Sequence, residues 1–302
     1  MARFLITCLL LLSSIASAQP LELVTVDKNI YALIGPMEQR SENNLANNAN
    51  FGFIVTQEGV VLVDSGGTLL GAKAIEQQIK SVTDKPVTLV INTGGQDHRW
   101  FGNSFFIKQG AKTLTSIQTQ EDQEARRTAQ IESTSAYTGS SWQGTQPEIA
   151  RETIEQITEL NIGGVDLVLI PVGAAHTGGE TLVWLPKQKI LFSGDVVYLD
   201  RMLGVGPQSQ HLSWLEAFKV IQQLNPEVII PGHGYPADLE KAEQDTLAYL
   251  TFLREEVGKL IEEGQDMSAV SSIDQSRFSY LKVYQEIHGR NAQRVFEEME
   301  WE

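Results

Sequence analysis

Asp97 and His98 stand side by side in the stretch Asn92–Asn103, NTGGQDHRWFGN, where the apolar run Pro86–Ile91 gives way to a predicted helix. Such strand-to-helix junctions are where α/β proteins place their chemistry. His176 in GAAHTGGE, Asp195 in LFSGDVVY and His233 in IIPGHGY each follow a short apolar run and lie within two residues of a glycine. Four separated strand ends can therefore converge on one metal ion, since imidazole nitrogen and carboxylate oxygen are both zinc donors. One histidine alone would read as a hydrogen-bonded structural residue, and Asp97 alone as a helix cap. Together they read as a metal site. Of the two remaining histidines, His211 is assigned to a polar surface loop and His288 to a packed C-terminal helix.

The elements that must position these residues alternate. Strands are predicted over Asn29–Gly35, Phe51–Thr56 and Val60–Asp64, the last two joined by the turn Gln57-Glu58-Gly59. Helix follows over Ala72–Val82, strand over Val87–Ile91, helix over His98–Gln109, strand over Lys112–Thr115 and helix over Glu121–Ser135. The polar segment Gly139–Pro147, with Trp142 in it, reads as a loop of lid type. From Ile154 the pattern returns to strands, with a turn at Asn161–Gly164 and runs at Val165–Pro171, Thr181–Leu185 and Ile190–Phe192. Helix Ser213–Leu224 precedes strand Glu227–Ile230. Leu239, Ala242, Leu247, Leu250, Leu253, Val257 and Leu260 then recur at helical spacing, and a second helical region covers Phe278–Met299. Asn43–Asn50 reads as a polar loop.

Composition narrows the chemistry further. Residues 1–18, with an apolar run Phe4–Leu12 ahead of Ala16-Ser17-Ala18, have the form of a secretory signal peptide, which places the mature protein outside the cytoplasm, periplasmic or secreted. No later run is long and apolar enough to insert in a membrane. Cleavage after Ala18 discards the sole cysteine, Cys8, so the mature chain 19–302 has neither disulfides nor cysteine ligands. Any metal must rely on His, Asp or Glu. The formal charge of −15, which cleavage makes −16 by removing Arg3, disfavours nucleic acid or an anionic membrane as partner. No linker or repeat divides the chain, so one α/β domain is expected.

The segments NANFGFIVTQEGVVLVDSGG, NTGGQDHRWFGN, GAAHTGGETLVWLP, ILFSGDVVY and VIIPGHG, in this order and spacing, resemble the metallo-β-lactamase fold superfamily over about residues 24–235. The resemblance implies a four-layer αβ/βα sandwich, with residues 236–302 as a helical C-terminal extension. It also implies a metal loop of the pattern His-x-His-x-Asp-His, and here the chain departs. Counting back from Asp97-His98 puts Thr93 and Gly95 at the first-metal histidine positions; counting forward from Asn92-Thr93 puts Gly94 and Gln96 there. Neither register supplies a histidine. The resemblance makes Asp195 the bridging carboxylate, His233 the final histidine and His176 the remaining first-metal ligand. It gives Asp64 a structural role in orienting the loop.

The surviving set, Asp97, His98, Asp195 and His233, suits one zinc ion per chain, with iron or manganese also compatible. His176, released from metal duty, is then a candidate general base, Asp195 a ligand or proton acceptor, and Gln96 an orienting group for water or substrate. The expected activity is metal-assisted hydrolysis of a small ester, thioester, lactone or related molecule. The Gly-Gly-Gln-Asp-His variant, the ending HGRNAQRVFEEMEWE and the signal peptide are similar to the secreted, sulfur-oxidation-related quinoprotein relay system zinc metallohydrolases. That likeness implies periplasmic quinoprotein or electron-transfer partners. The contrasting expectation is an accessory protein that kept the fold and a metal but lost turnover. The sequence leaves homo-oligomerisation open.

Overall fold

Seven strands assemble in chain order into one sheet. A computed structural model describes residues 21–302, so the signal-peptide segment 1–18 lies outside the described residues. The chain runs β1 (Glu22–Asp27), β2 (Ile30–Ile34), β3 (Phe51–Val55), β4 (Val60–Val63), α1 (Leu69–Val82), β5 (Val87–Ile91), α2 (Asp97–Trp100), α3 (Asn103–Lys108), β6 (Lys112–Ser116), α4 (Ile117–Thr138) and β7 (Glu152–Ile154). Strands β1 to β4 pair antiparallel, as hairpins allow, and β4 to β7 pair parallel, as helical crossovers require. The second sheet contains β8 (Thr158–Ile162), β9 (Val165–Gly173), β10 (Glu180–Leu185), β11 (Ile190–Tyr198) and, after α5 (His211–Leu224), β12 (Val228–His233), in the order β12-β11-β10-β9-β8. The turn between β8 and β9 places Gly163 and Gly164 at φ 52° and 85°, the left-handed pair a tight hairpin needs.

Three apolar clusters define the layers. Ile54, Val61, Val63 and Ile91 from the first sheet meet Leu169, Val183, Leu185 and Phe192 from the second, so the sheets stack face to face. On the outer face of the first sheet, Phe53, Leu62 and Val90 pack against Ala72, Ile75 and Ile79 of α1 and Phe106 of α3. On the outer face of the second, Leu182 and Leu191 pack against Trp214, Phe218 and Ile221 of α5 and against the C-terminal helices. The result is the expected four layers, helix, sheet, sheet, helix. Because both sheets are covered on both faces, β4 and β10 are buried along their whole length and read as unbroken apolar runs.

Two predicted helices are broken. His98–Gln109 divides into α2 and α3 around Phe101-Gly102, because the backbone at Gly102 closes onto Ser65: a Cβ there would lie 2.0 Å from the Ser65 carbonyl oxygen. Leu239–Leu260 divides into α6 (Leu239–Ala242), a π-helical turn at Glu243–Leu247 and α7 (Ala248–Glu262). That turn holds Thr246 against the end of β11, where its hydroxyl accepts from Tyr198 N (3.0 Å) and donates to Tyr198 O (2.6 Å). The extension ends in α8 (Tyr284–Met299), which packs on α7. Among the described residues no helix is long and apolar enough to cross a membrane.

Candidate metal centre and its cavity

Asp195 sits at the centre of the site. It lies on β11 beside Gly194, whose φ of 52° turns the strand, and β12 brings His233 alongside. One donor atom each from His98, Asp195 and His233 lies within 4.8 Å of the other two, and all three residues are buried. His98 Nε2 is 3.2 Å from Asp195 Oδ2, and His233 Nε2 is 3.3 Å from Oδ1. Burial holds both imidazoles below their ordinary range, His98 to about 4 with the Arg99 charge adding to the effect, and His233 well below with Arg201 adding to it. Both rings are therefore neutral at pH 7, the form that binds metal. Two neutral imidazoles and a carboxylate form a set that zinc accepts.

Arg99, which immediately follows His98, also holds Asp195. Its Nε donates to Oδ2 (3.1 Å), its Nη2 to Oδ1 (2.5 Å), and its Nη1 to Asp64 Oδ2 (3.0 Å) and the Asn50 carbonyl (2.7 Å). Burial alone would raise the Asp195 carboxyl, but Arg99 and then His98 outweigh it and keep the group well below the usual carboxylate range. Each carboxylate oxygen has two lone pairs, so Arg99 does not exhaust Asp195 as a donor.

Asp97 does not join the three clustered ligands. Its Oδ1 accepts from Arg40 Nε (3.0 Å), Gln96 Nε2 (3.0 Å) and the His98 amide (2.9 Å), while Oδ2 accepts from the Thr134 hydroxyl (2.5 Å). Its Oδ1 lies 3.6 Å from His98 Nδ1. That nitrogen is buried and has no hydrogen-bond partner. Asp97 thus stands behind the ring, beyond hydrogen-bond distance of the nitrogen that would carry the proton if His98 Nε2 held a metal.

The loop also shows what replaced the two missing histidines. Thr93 turns inward, its amide and hydroxyl both donating to Asp64 (2.8 and 2.7 Å), so Asp64 does anchor the loop. A Cβ on Gly95 would fall 1.7 Å from Asp122 Oδ2, and one on Gly94 would fall 2.3 Å from Glu180 Oε2. The space is filled by acids from α4 and β10. Of the four candidate positions only Gln96 faces the cavity. Burial and then Asp195 push the Glu180 carboxyl well up, which favours its neutral form.

The cavity in front of the cluster has a volume of about 330 Å³ and is reached by His98, His176, His233, Gln96 and Tyr198. His176 Nδ1 lies 2.9 Å from the Gly204 carbonyl, which can only accept, so Nδ1 carries the proton and Nε2 the lone pair. Its ring is braced edge-on by Tyr198 and Trp214. Tyr198 in turn stacks on His233 at 4.6 Å. Burial, with Arg126 and Arg40 adding to it, lowers His176 to about 4.

Several expectations are corrected. His211, assigned to the surface, is fully buried at the start of α5. The segment Gly139–Pro147 lines no part of this cavity; it begins as a 3-10 turn, with Trp142 edge-on to Phe101 at 5.7 Å and Ser141 bonded to the Glu42 carbonyl. The asparagines of 43–50 are largely buried: Asn50 binds the carbonyls of Pro231 (3.0 Å) and Gly234 (2.5 Å), and Asn47 binds Gly71 O (3.0 Å). Sequence reading missed Arg99, Arg40, Arg201 and Tyr198. Only Arg99, adjacent to a ligand candidate, carried a local signal.

A sequence profile of the Metallo-beta-lactamase superfamily matches residues 46–233, more than half the chain. The chain belongs to that superfamily. It is 27% identical to Metallo-beta-lactamase IND-1 of Chryseobacterium indologenes, over 76% of this chain and 90% of the relative. It is 24% identical to the 2,4-dinitroanisole O-demethylase subunit alpha of Nocardioides sp. (strain JS1661), over 62% of this chain and 53% of that one. Among solved structures, a metallo-beta-lactamase from Pontibacter korlensis superposes with a TM-score of 0.62 at 23% identity, covering 76% of this chain and 99% of its own. The stereoselective inverting sec-alkylsulfatase Pisa1 from Pseudomonas sp. superposes with a TM-score of 0.70 at 16% identity, covering 92% of this chain and 50% of its own. At these identities the solved structures establish the fold.

Proposed function

We propose that the protein is a metal-dependent hydrolase with one metal ion, zinc being the best fit, held by His98, Asp195 and His233. The observation that carries this reading is the convergence of those three buried donors with His176 on one cavity. A divalent ion there would supply Lewis acidity toward water and a substrate oxygen. His176 Nε2, its lone pair fixed by the Nδ1 bond to Gly204, accepts the proton of the attacking water and returns it to the leaving oxygen or sulfur. Gln96 Nε2 is committed to Asp97, which leaves its carbonyl oxygen to orient water or substrate. The substrate is a small ester, thioester, lactone or related molecule; the curated and structural relatives add lactam and sulfate ester to the classes worth testing. A periplasmic setting beside quinoprotein dehydrogenase systems is part of the proposal, resting on the signal peptide and the sequence likeness.

The test is turnover of a panel of ester, thioester, lactone, lactam and sulfate-ester substrates by zinc-loaded protein, repeated with His176→Ala. Turnover that falls with the variant while metal content holds supports the enzyme. One observation favours a second reading, a metal-binding accessory protein: Arg99 already neutralises the carboxylate a metal would use. Bound metal with no turnover across the panel would favour that reading.

A further inference from the structure

The chain is acidic, with a formal charge of −15, yet four arginines and no acid line its cavity. They come from unrelated parts of the fold: Arg40 follows β2, Arg201 follows β11, and Arg290 and Arg294 project from α8. Arg40 is balanced by Asp97 (2.8 Å), and Arg294 pairs with Glu297. The other two are not balanced. Arg201 is 6% exposed and donates only to neutral oxygens: Met37 O (2.7 Å), Met202 O (3.3 Å) and Gln39 Oε1 (3.4 Å). Arg290, at the rim, makes no ion pair among the described residues.

Burying a guanidinium with no carboxylate in ion-pair contact is costly, and the pressure shows: burial lowers Arg201 from its ordinary value, with the nearby Arg40 charge adding to the effect against the more distant pull of Asp195 and Glu286. Three of its five N–H groups are used, which leaves two for a ligand. Its position is fixed by backbone, since Met202 N binds Lys282 O (3.0 Å) and Lys282 N binds Asp200 O (2.8 Å), immediately ahead of α8. The same short bridge therefore positions Arg201 and starts the helix that brings Arg290 and Arg294 to the cavity.

We propose that the cavity takes a substrate bearing an oxyanion, carboxylate or sulfate, gripped by Arg201 and Arg290 while the bond to be cleaved faces His176. Arginine forks match the geometry of such groups. The proposal deepens the hydrolase reading and rests on it for the bond cleaved, but not for anion binding. The bound oxyanion supplies the charge balance that Arg201 lacks, and Arg290 adds a second guanidinium to the same cavity.

The test has a binding arm and a kinetic arm, on the full secreted chain with its bound metal. Titration calorimetry with sodium sulfate and with sodium acetate, at constant ionic strength, should show binding of the matching anion. Arg290→Gln should weaken it about tenfold, and Arg201→Met by at least as much. Monomethyl succinate against dimethyl succinate, and an alkyl sulfate against the matching acetate ester, then give the kinetic comparison: Arg290→Gln should raise KM for the anionic member and leave the neutral one unchanged. Because Arg201→Met removes backbone contacts, exposed Arg290 keeps the test interpretable if that variant fails to fold. No anion binding by wild type, or equal affinity in wild type and Arg290→Gln, overturns the inference even if neutral esters are hydrolysed. Arginine-dependent binding without hydrolysis of any substrate upholds the anion site and removes the hydrolase reading.

Discussion

Arg99 and Asp195 form a bidentate pair in which both partners are buried, with Nε–Oδ2 3.1 Å and Nη2–Oδ1 2.5 Å. The same guanidinium reaches Asp64, so one cation neutralises two buried carboxylates. Removing it would strand both. Arg99→Met should cost about 3–5 kcal/mol of stability, read from the midpoint of urea unfolding. A loss under 1 kcal/mol would show that metal or water supplies the balance instead.

Metal retention separates the roles of the two neighbours in the loop. His98→Ala and His233→Ala should each lose the ion by elemental analysis, whereas Asp97→Asn, which disturbs Arg40 and Thr134, should keep it with affinity lowered about 10- to 100-fold. Complete loss in Asp97→Asn would make that carboxylate a direct ligand.

His176→Ala should preserve metal content and lower kcat by about 10²- to 10⁴-fold, the range for a positioned proton acceptor. Metal loss equal to that of His233→Ala would place His176 in the coordination sphere.

Gly95 tests whether the loop has room for the histidines it lacks. The added methyl of Gly95→Ala would meet Asp122, whose carboxylate also holds Arg126 and the Gly178 amide. A destabilisation of about 1–3 kcal/mol is expected, and Thr93→His with Gly95→His should fail to create a second metal site. A metal stoichiometry that rises in the folded double variant would contradict the packing described.

His211 gives a pH dependence remote from the metal. Burial, then Arg254, lowers it from 6.5 to about 4, so the folded state refuses a proton that the unfolded chain accepts. Its contribution to stability is fully present above pH 6.5 and is lost as pH falls toward 4, by up to about 3 kcal/mol. His211→Gln should flatten the decline of Tm between pH 7 and pH 5; an unchanged slope would exclude this group as its source.

The layers were legible because both sheets are covered on both faces, which leaves uninterrupted apolar runs such as Val60–Val63, and because glycines mark the turns that end them. His98, His176, Asp195 and His233 were legible for the same reason, each following such a run. Side-chain direction was not. Asp97 and His98 are consecutive in the short α2, so their side chains leave about 100° apart, and one turns to Arg40 while the other turns to Asp195. Arg40, Arg201 and Arg290 meet only through tertiary contacts and carry no local pattern. The break at Glu243–Leu247 was equally hidden, since its cause is Thr246 reaching Tyr198 on β11.

The superfamily match stops at residue 233, yet Ile287, Arg290 and Arg294 from α8 form part of the cavity wall. The cavity wall thus draws on both the matched stretch, which carries Arg201, and the C-terminal region beyond it. The candidate metal donors and His176 lie in the sandwich, while two of the four cavity arginines, Arg290 and Arg294, stand on α8. Exchange of α8 between relatives would change the charge lining the cavity, and loss of the residues beyond 282 would uncover the apolar core that Tyr284, Ile287, Val295 and Phe296 complete.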